Sequence, residues 1–392
     1  MFGIVKNMQE IKKGLLGKLI LFCITSIICF VFLELAFRVL GMGIAQKETI
    51  SDFIKHSSYN PFLIYGPHIN KEFKQDNGEN AYYNSQGFRL KERVPLHKED
   101  GVYRIIFLGG STTEDLANRM NVHWPEEVCK ILNRDSTINK RIECLNAGTG
   151  GYSTAHSLIR LQLDLLQFNP DMITFLENIN DLHVNFFPNP DNKTNYANKY
   201  LDNAYAFHYN KIYLKNILKN SRVLVVIDQL LEFIENELFS DKINYENKEY
   251  AFSTMQFSDK PIELKEEYAF KNNLISIVNI AKAHNISVVL ISQPAIFTDE
   301  KIALGFGSKS YNAYIFYPKK EEFKKIFEEY NNVIKDVAKK QGAYFIDMYN
   351  LFGSNNKDFI DEVHYTANGS IRFGKIFSRE LRDIIKEDIK NA

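Results

Sequence analysis

Ser111 sits in the run Gly109-Gly110-Ser111-Thr112-Thr113-Glu114, where a strand pattern gives way to a helical one. A hydroxyl there lies past the C-terminal end of a strand, where open parallel sheets put their ligands. It also lies at a helix N-terminus, beside free N–H groups and the positive end of the helix dipole. Such a place suits a nucleophile whose attack on a carbonyl creates an oxyanion, although a phosphate loop or a plain helix start would use the same local geometry. A Walker loop needs G-x-x-x-x-G-K-[ST], and no Lys follows these glycines. The G-x-S-x-G elbow does not fit either, since Ser111 has no glycine two residues later.

Three more segments follow strand patterns. Asn146-Ala147-Gly148-Thr149-Gly150-Gly151-Tyr152-Ser153 carries three glycines, which let backbone approach a ligand without side-chain obstruction. Their spacing does not match the dinucleotide fingerprint G-x-G-x-x-G, and a tight strand-to-helix turn is the plain alternative. Glu177-Asn178-Ile179-Asn180-Asp181 offers the Asn180 amide as a hydrogen-bond donor. In Asp361-Glu362-Val363-His364-Tyr365-Thr366 a carboxylate stands three residues before a histidine, able to hold its Nδ1–H and leave Nε2 facing a serine. Taken alone, such a pair is an ordinary surface feature.

The elements that would position these residues are legible as a rhythm. Apolar or β-branched runs at Arg104–Leu108, Ile142–Asn146, Met172–Glu177, Ser287–Gln293 and Ala343–Asp347 read as buried strands. Helical patterns fall between them, such as Ala269–His284 and the amphipathic Lys319–Gln341 stopped by Gly342. Strand and helix alternating in this way imply a parallel sheet covered on both faces. Residues 41–100 have no sustained period and read as an extended wrap, with a turn signal at Asn84-Ser85-Gln86-Gly87. Residues 182–265 break the rhythm with an aromatic, Asn-rich insertion that contains an amphipathic pattern at Tyr213–Leu238, a candidate lid.

The apolar run from Leu19 reaches Leu40, interrupted by Glu34 and Arg38, and is long enough to cross a bilayer as a helix. Lys6, Lys12, Lys13 and Lys18 precede it, so residues 1–18 are expected in the cytoplasm, 19–40 in the membrane and the rest outside. Glu34 and Arg38, spaced i, i+4, read as an interfacial pair and not as a site. A cleaved signal peptide ending near Gly43-Ile44-Ala45 is the competing reading. Lys+Arg and Asp+Glu number 48 each, so no basic field exists to gather nucleic acid. No cysteine or histidine cluster has metal-binding spacing, and neither a metal nor a cofactor is expected. Cys129 and Cys144 are read as small buried apolar residues in preference to a disulfide. His123 and His156 read as packed or surface side chains, and His183 as a surface loop position.

With the four segments in this order after strands, the chain resembles the SGNH (GDSL-like) hydrolases. The matching blocks are Ser111 in a G-D-S-like turn, Gly151 in N-x-G-x-x-G, Asn180 in G-x-N-D, and Asp361 with His364 in D-x-x-H. Gly110 stands where many members have Asp, and Asn178 where most have Gly; a left-handed backbone, which Asn tolerates, would make the second change mild. The resemblance implies a flavodoxin-like three-layer α/β/α fold with a five-stranded parallel sheet over residues 101–392. It implies Ser111 as nucleophile, His364 as base and then acid, and Asp361 as its orienter. The N–H groups of Ser111 and Gly151 and the Asn180 amide would form the oxyanion hole. The segment 83–89 and the N-terminal anchor look like those of bacterial envelope members. The expected substrate is an acylated carbohydrate or another ester. Two other readings stay open: an O-acyltransferase working with a multi-pass membrane partner, and a non-catalytic binding protein.

Overall fold

The computed structural model describes residues 2–42, 66–74, 80–115, 122–186, 221–227, 267–298 and 319–391, with Asn60, Phe62, Leu63, Asn118, Met120 and Leu230. The chain divides into two compact units, Met1–Thr49 with His208–Ile243, and Ile50–Phe207 with Asn244–Ala392. In the first unit, helix α1 (Phe2–Val39) contains Ile20–Val39, whose mean hydropathy of 2.6 and length suit a membrane span or a signal sequence. Arg38 Nε donates to Glu34 Oε1 at 2.8 Å, so the expected i, i+4 pair forms. The other Glu34 oxygen accepts from Ser221 Oγ at 2.8 Å and from Val223 N at 3.1 Å, capping the helical turn at 222–227 with a carboxylate. The rest of the Tyr213–Leu238 pattern, and most of the insertion, lies outside the described residues.

The second unit opens with a hairpin, β1 (Lys71–Lys74) antiparallel to β2 (Asn80–Tyr83). The turn that follows forms as its sequence suggests: Asn84 Oδ1 accepts from Gln86 N and Phe88 N, and Gly87 takes φ +75. Then come β3 (Val102–Gly109), α2 (Ser111–Glu114), α3 (Trp124–Arg134) and β4 (Arg141–Asn146). Helix α4 (Thr154–Arg160) runs on through a π turn to β5 (Met172–Leu176) and the short α5 (Ile179–His183). After the insertion stand α6 (Glu267–Ala283), β6 (Ser287–Ile291), α7 (Lys320–Gln341), β7 (Tyr344–Ile346), α8 (Met348–Phe352) and α9 (Ala367–Asn391).

The five strands form one parallel sheet in the order β4-β3-β5-β6-β7, the flavodoxin-like arrangement. Its strands are apolar throughout because both faces are covered. Ile106 and Leu108 of β3, Ile173 and Phe175 of β5, and Val288 and Leu290 of β6 point into one core with α4, α6 and α7. Their neighbours Ile105, Phe107, Met172, Leu176, Val289 and Ile291 point into the other, where Trp124 of α3 meets Phe373 and Phe377 of α9. The alternation is the period-2 geometry of a strand read on two sides. All five expected strands are present, and the chain reverses direction across the sheet between β3 and β5.

The expectation for the two cysteines fails. Cys129 and Cys144 are joined as a disulfide with their Cα atoms 5.8 Å apart. They stand on α3 and β4, which the sheet packs directly against each other. That proximity is tertiary and has no marker in a chain with so few cysteines.

Candidate active site

β3 ends at Gly109, and the chain passes through Gly110 into α2 with Ser111 at its first position, where helical geometry gives the Ser111 N–H no backbone acceptor. Gly109 has φ +155, and a Cβ there would meet Leu176 O at 2.2 Å, so the turn packs directly on the neighbouring strand. A Cβ on Gly148 would meet the backbone N of Glu114 at 2.2 Å, so the loop after β4 packs equally tightly on α2. Asn146 ties the two together, its amide donating to Thr113 O at 3.0 Å and its oxygen accepting from Gly148 N at 2.9 Å.

His364 arrives from the opposite end of the chain, in a turn pinched by an antiparallel bridge between Phe359 and Tyr365. Asp361 organises that turn. Its Oδ1 accepts from Val363 N at 3.0 Å and His364 N at 2.8 Å, and its Oδ2 lies 2.7 Å from His364 Nδ1. The other ring nitrogen, Nε2, lies 2.7 Å from Ser111 Oγ. Two contacts hold the pieces in register. Ser370, in the first turn of α9, donates to the Asp115 carboxylate, and Asn118 Nδ2 donates to Tyr365 O at 3.1 Å. Arg89 of the wrap, wholly buried, donates to Glu114 O at 2.7 Å and Asp115 O at 2.6 Å, securing the end of α2.

Electrostatics follow from the pairing. Burial resists the charged imidazolium, yet the Asp361 charge and hydrogen bond prevail and raise His364 to about 9. Burial likewise pushes the Asp361 carboxyl up, but the His364 charge and the hydrogen bonds from residues 363 and 364 bring it down to about 2. The His364 side chain is 36% exposed and that of Asp361 14%, so the imidazole is reached by solvent and the acid is more deeply set.

The remaining predicted residues lie at the same sheet edge. Gly151 has φ +71, the left-handed conformation that favours glycine. Asn180, at the start of α5, donates its amide to Tyr152 O at 3.0 Å, which joins the loops after β4 and β5. Asn178 departs from expectation: its φ is −153, not left-handed, and its amide donates to Phe327 O and Asn331 Oδ1 of α7. His183 also departs, being buried on α5 with its ring stacked over Phe323. His123 caps α3 and His156 sits in the first turn of α4, both buried.

Several residues that sequence reading passed over support these loops. Glu114, buried, accepts from Gly150 N at 2.8 Å and from Tyr83 OH at 2.9 Å, so the wrap holds the glycine loop through α2. Arg160 donates to Thr149 Oγ1 at 2.9 Å and to Gly87 O at 2.8 Å. Asp181 accepts from Thr154 N at 2.8 Å and fixes the start of α4. Glu114 stands only three residues after Ser111, yet nothing in its spacing announces that role. A hydroxyl, an imidazole and a carboxylate in hydrogen-bonded sequence, beside backbone and amide donors, is the arrangement that activates a serine for attack on a carbonyl.

Among solved structures, the acetylxylan esterase of Geobacillus stearothermophilus is 13% identical with a TM-score of 0.40, over 71% of this chain and 93% of that one. A GDSL-like lipase from Bacteroides thetaiotaomicron is 14% identical with a TM-score of 0.36, over 72% and 88%. A phosphoribosylaminoimidazole-succinocarboxamide synthase from Wigglesworthia glossinidia brevipalpis is 24% identical over 241 residues, 61% of this chain and 85% of that one. Likeness at these levels establishes no shared activity. The GDSL-like lipase/acylhydrolase family model, in contrast, matches residues 107–370, well over half of the 392. That span begins inside β3 and closes just after His364, enclosing Ser111, Gly151, Asn180, Asp361 and His364, and the chain belongs to this family of serine hydrolases acting on ester bonds.

Proposed function

We propose that this chain is a membrane-anchored esterase whose domain at residues 101–392 works outside the cytoplasm. It removes O-acyl groups, foremost O-acetyl, from an envelope or exported glycan. The observation that carries the chemistry is the chain of two 2.7 Å contacts from Asp361 through His364 to Ser111. Ser111 Oγ attacks the ester carbonyl while its proton passes to His364 Nε2, and Asp361 stabilises the imidazolium that forms. The tetrahedral oxyanion is received by the N–H groups of Ser111 and Gly151 and by the Asn180 amide. His364 then protonates the leaving alcohol, giving an acyl-Ser111 ester, and next takes a proton from water as it attacks that ester. Free acid leaves and Ser111 regains its proton.

The glycan assignment is supported by the apolar helix Ile20–Val39, with lysines on its N-terminal side, and by the tyrosine, phenylalanine and asparagine richness of residues 182–210. Fluorophosphonate labelling of the membrane fraction, with Ser111→Ala as control, tests the chemistry and the anchor together. Labelled protein in the membrane pellet, absent in the variant, is expected; an unlabelled wild type overturns the reading. Incubation with an acetylated glycan is expected to release free acetate. Appearance of the acetyl group on an added sugar acceptor instead would make the protein a transferase.

A further inference from the structure

The glycine at position 110 is a packing requirement of this chain. A Cβ there would lie 2.1 Å from Glu177 Oε2, 2.7 Å from Asn180 Nδ2 and 3.0 Å from Tyr152 O. The space beside the nucleophile turn is therefore filled from the far side by a wholly buried glutamate just past the end of β5. Glu177 faces the entry to α5. Its Oε1 accepts from Asn178 N at 3.1 Å and Asn180 N at 3.0 Å, and its Oε2 lies 3.4 Å from Asn180 Nδ2. One N–H of the Asn180 amide is thus spent on Tyr152 O at 3.0 Å, and the other, held only loosely by the carboxylate at 3.4 Å, is the one that would turn to an oxyanion.

We propose that Glu177 is the positioning residue of the oxyanion donor. Its carboxylate, admitted by the missing side chain at 110, fixes both the backbone entry to α5 and the direction of the Asn180 amide. The inference rests on the reading of Asn180 as an oxyanion donor. It adds that glycine at 110 and glutamate at 177 are one device, the first leaving the space that the second fills. A carboxylate this close to a developing oxyanion also opposes it by charge, so the sign of the effect is itself a test.

The experiment is a kinetic comparison on p-nitrophenyl acetate, with circular-dichroism melting to confirm folding. Glu177→Gln keeps the volume but, whichever way its amide turns, sets an NH2 against N–H donors. Glu177→Gln and Glu177→Ala are each expected to lower kcat by about tenfold or more, with KM within about twofold, since a misdirected donor is felt in the transition state. Gly110→Asp alone, two carboxyl groups in one space, is expected to lose activity. The double variant Gly110→Asp/Glu177→Ala is expected to exceed both Gly110→Asp and Gly110→Ala/Glu177→Ala by about tenfold; the second comparison relieves the same clash without restoring a carboxylate and so separates positioning from simple relief of crowding. Turnover in Glu177→Gln equal to or above wild type overturns the inference, as does a Gly110→Asp/Glu177→Ala variant no better than Gly110→Ala/Glu177→Ala. A wild type without Ser111-dependent turnover is a different result: it removes the esterase reading, and this inference with it.

Discussion

Ser111 Oγ and His364 Nε2 stand 2.7 Å apart although 253 positions separate them in the chain. The pair meets because α2 and the turn before α9 are tied through Asp115, which takes the Ser370 hydroxyl, and Asn118, which reaches Tyr365 O. Ser111→Ala is expected to abolish turnover, and Asn180→Ala to lower kcat by about 10²- to 10³-fold. Steady-state hydrolysis of p-nitrophenyl acetate measures both, and near-normal rates in either variant remove that residue's role.

The pH dependence has two parts with opposite sign. General-base action needs a neutral His364, and with its value raised to about 9 the enzyme should gain kcat/KM with rising pH up to that region. Asp361→Asn removes the charge that holds the proton and should move this limb to lower pH while cutting kcat. Stability behaves differently. The contribution from charged His364 is complete below its ordinary 6.5 and is lost as pH rises through about 9; that from Asp361 is complete above 3.8 and is lost as pH falls through about 2. The pair therefore supports the fold fully between 3.8 and 6.5, on the acid side of the activity limb. A wild-type limb at 6.5 or below would contradict this account.

Glu114 couples the wrap to the glycine loop. Glu114→Gln leaves one NH2 facing either Gly150 N–H or Tyr83 OH, and only the hydroxyl can accept it. We expect kcat to fall by about tenfold as the Gly151 N–H loses its direction. Tyr83→Phe removes one buried hydrogen bond to a carboxylate and should cost about 1.5–3 kcal/mol in urea titration. Two variants indistinguishable from wild type would show that the wrap is only a cover.

The Cys129–Cys144 bridge closes a short loop, with a sequence separation of 15. On chain-entropy grounds its removal by Cys129→Ser/Cys144→Ser should cost about 3 kcal/mol. Disulfides persist in oxidising compartments, so the bridge also bears on location. Non-reducing peptide mapping of protein taken from its native cells should find the two cysteines linked; free thiols there would count against the proposed extracytoplasmic location.

What the sequence determined by itself was local in origin. Five apolar runs between helical patterns implied a parallel sheet covered on both faces, because period and length are properties of a few consecutive residues. The blocks around Ser111, Gly151, Asn180 and Asp361–His364 could be recognised for the same reason, each being a short turn with its own residue order. What only the tertiary structure decided concerns partners that share no sequence neighbourhood. Cys129 meets Cys144 because a helix lies on its adjoining strand, His183 is buried because α7 covers α5, and Asn178 spends its amide on α7 instead of taking a left-handed turn. Likewise Gly110 could be seen as a departure from a pattern, but that Glu177 fills its place follows from the close packing of β3 against β5, a distance no one-dimensional order encodes.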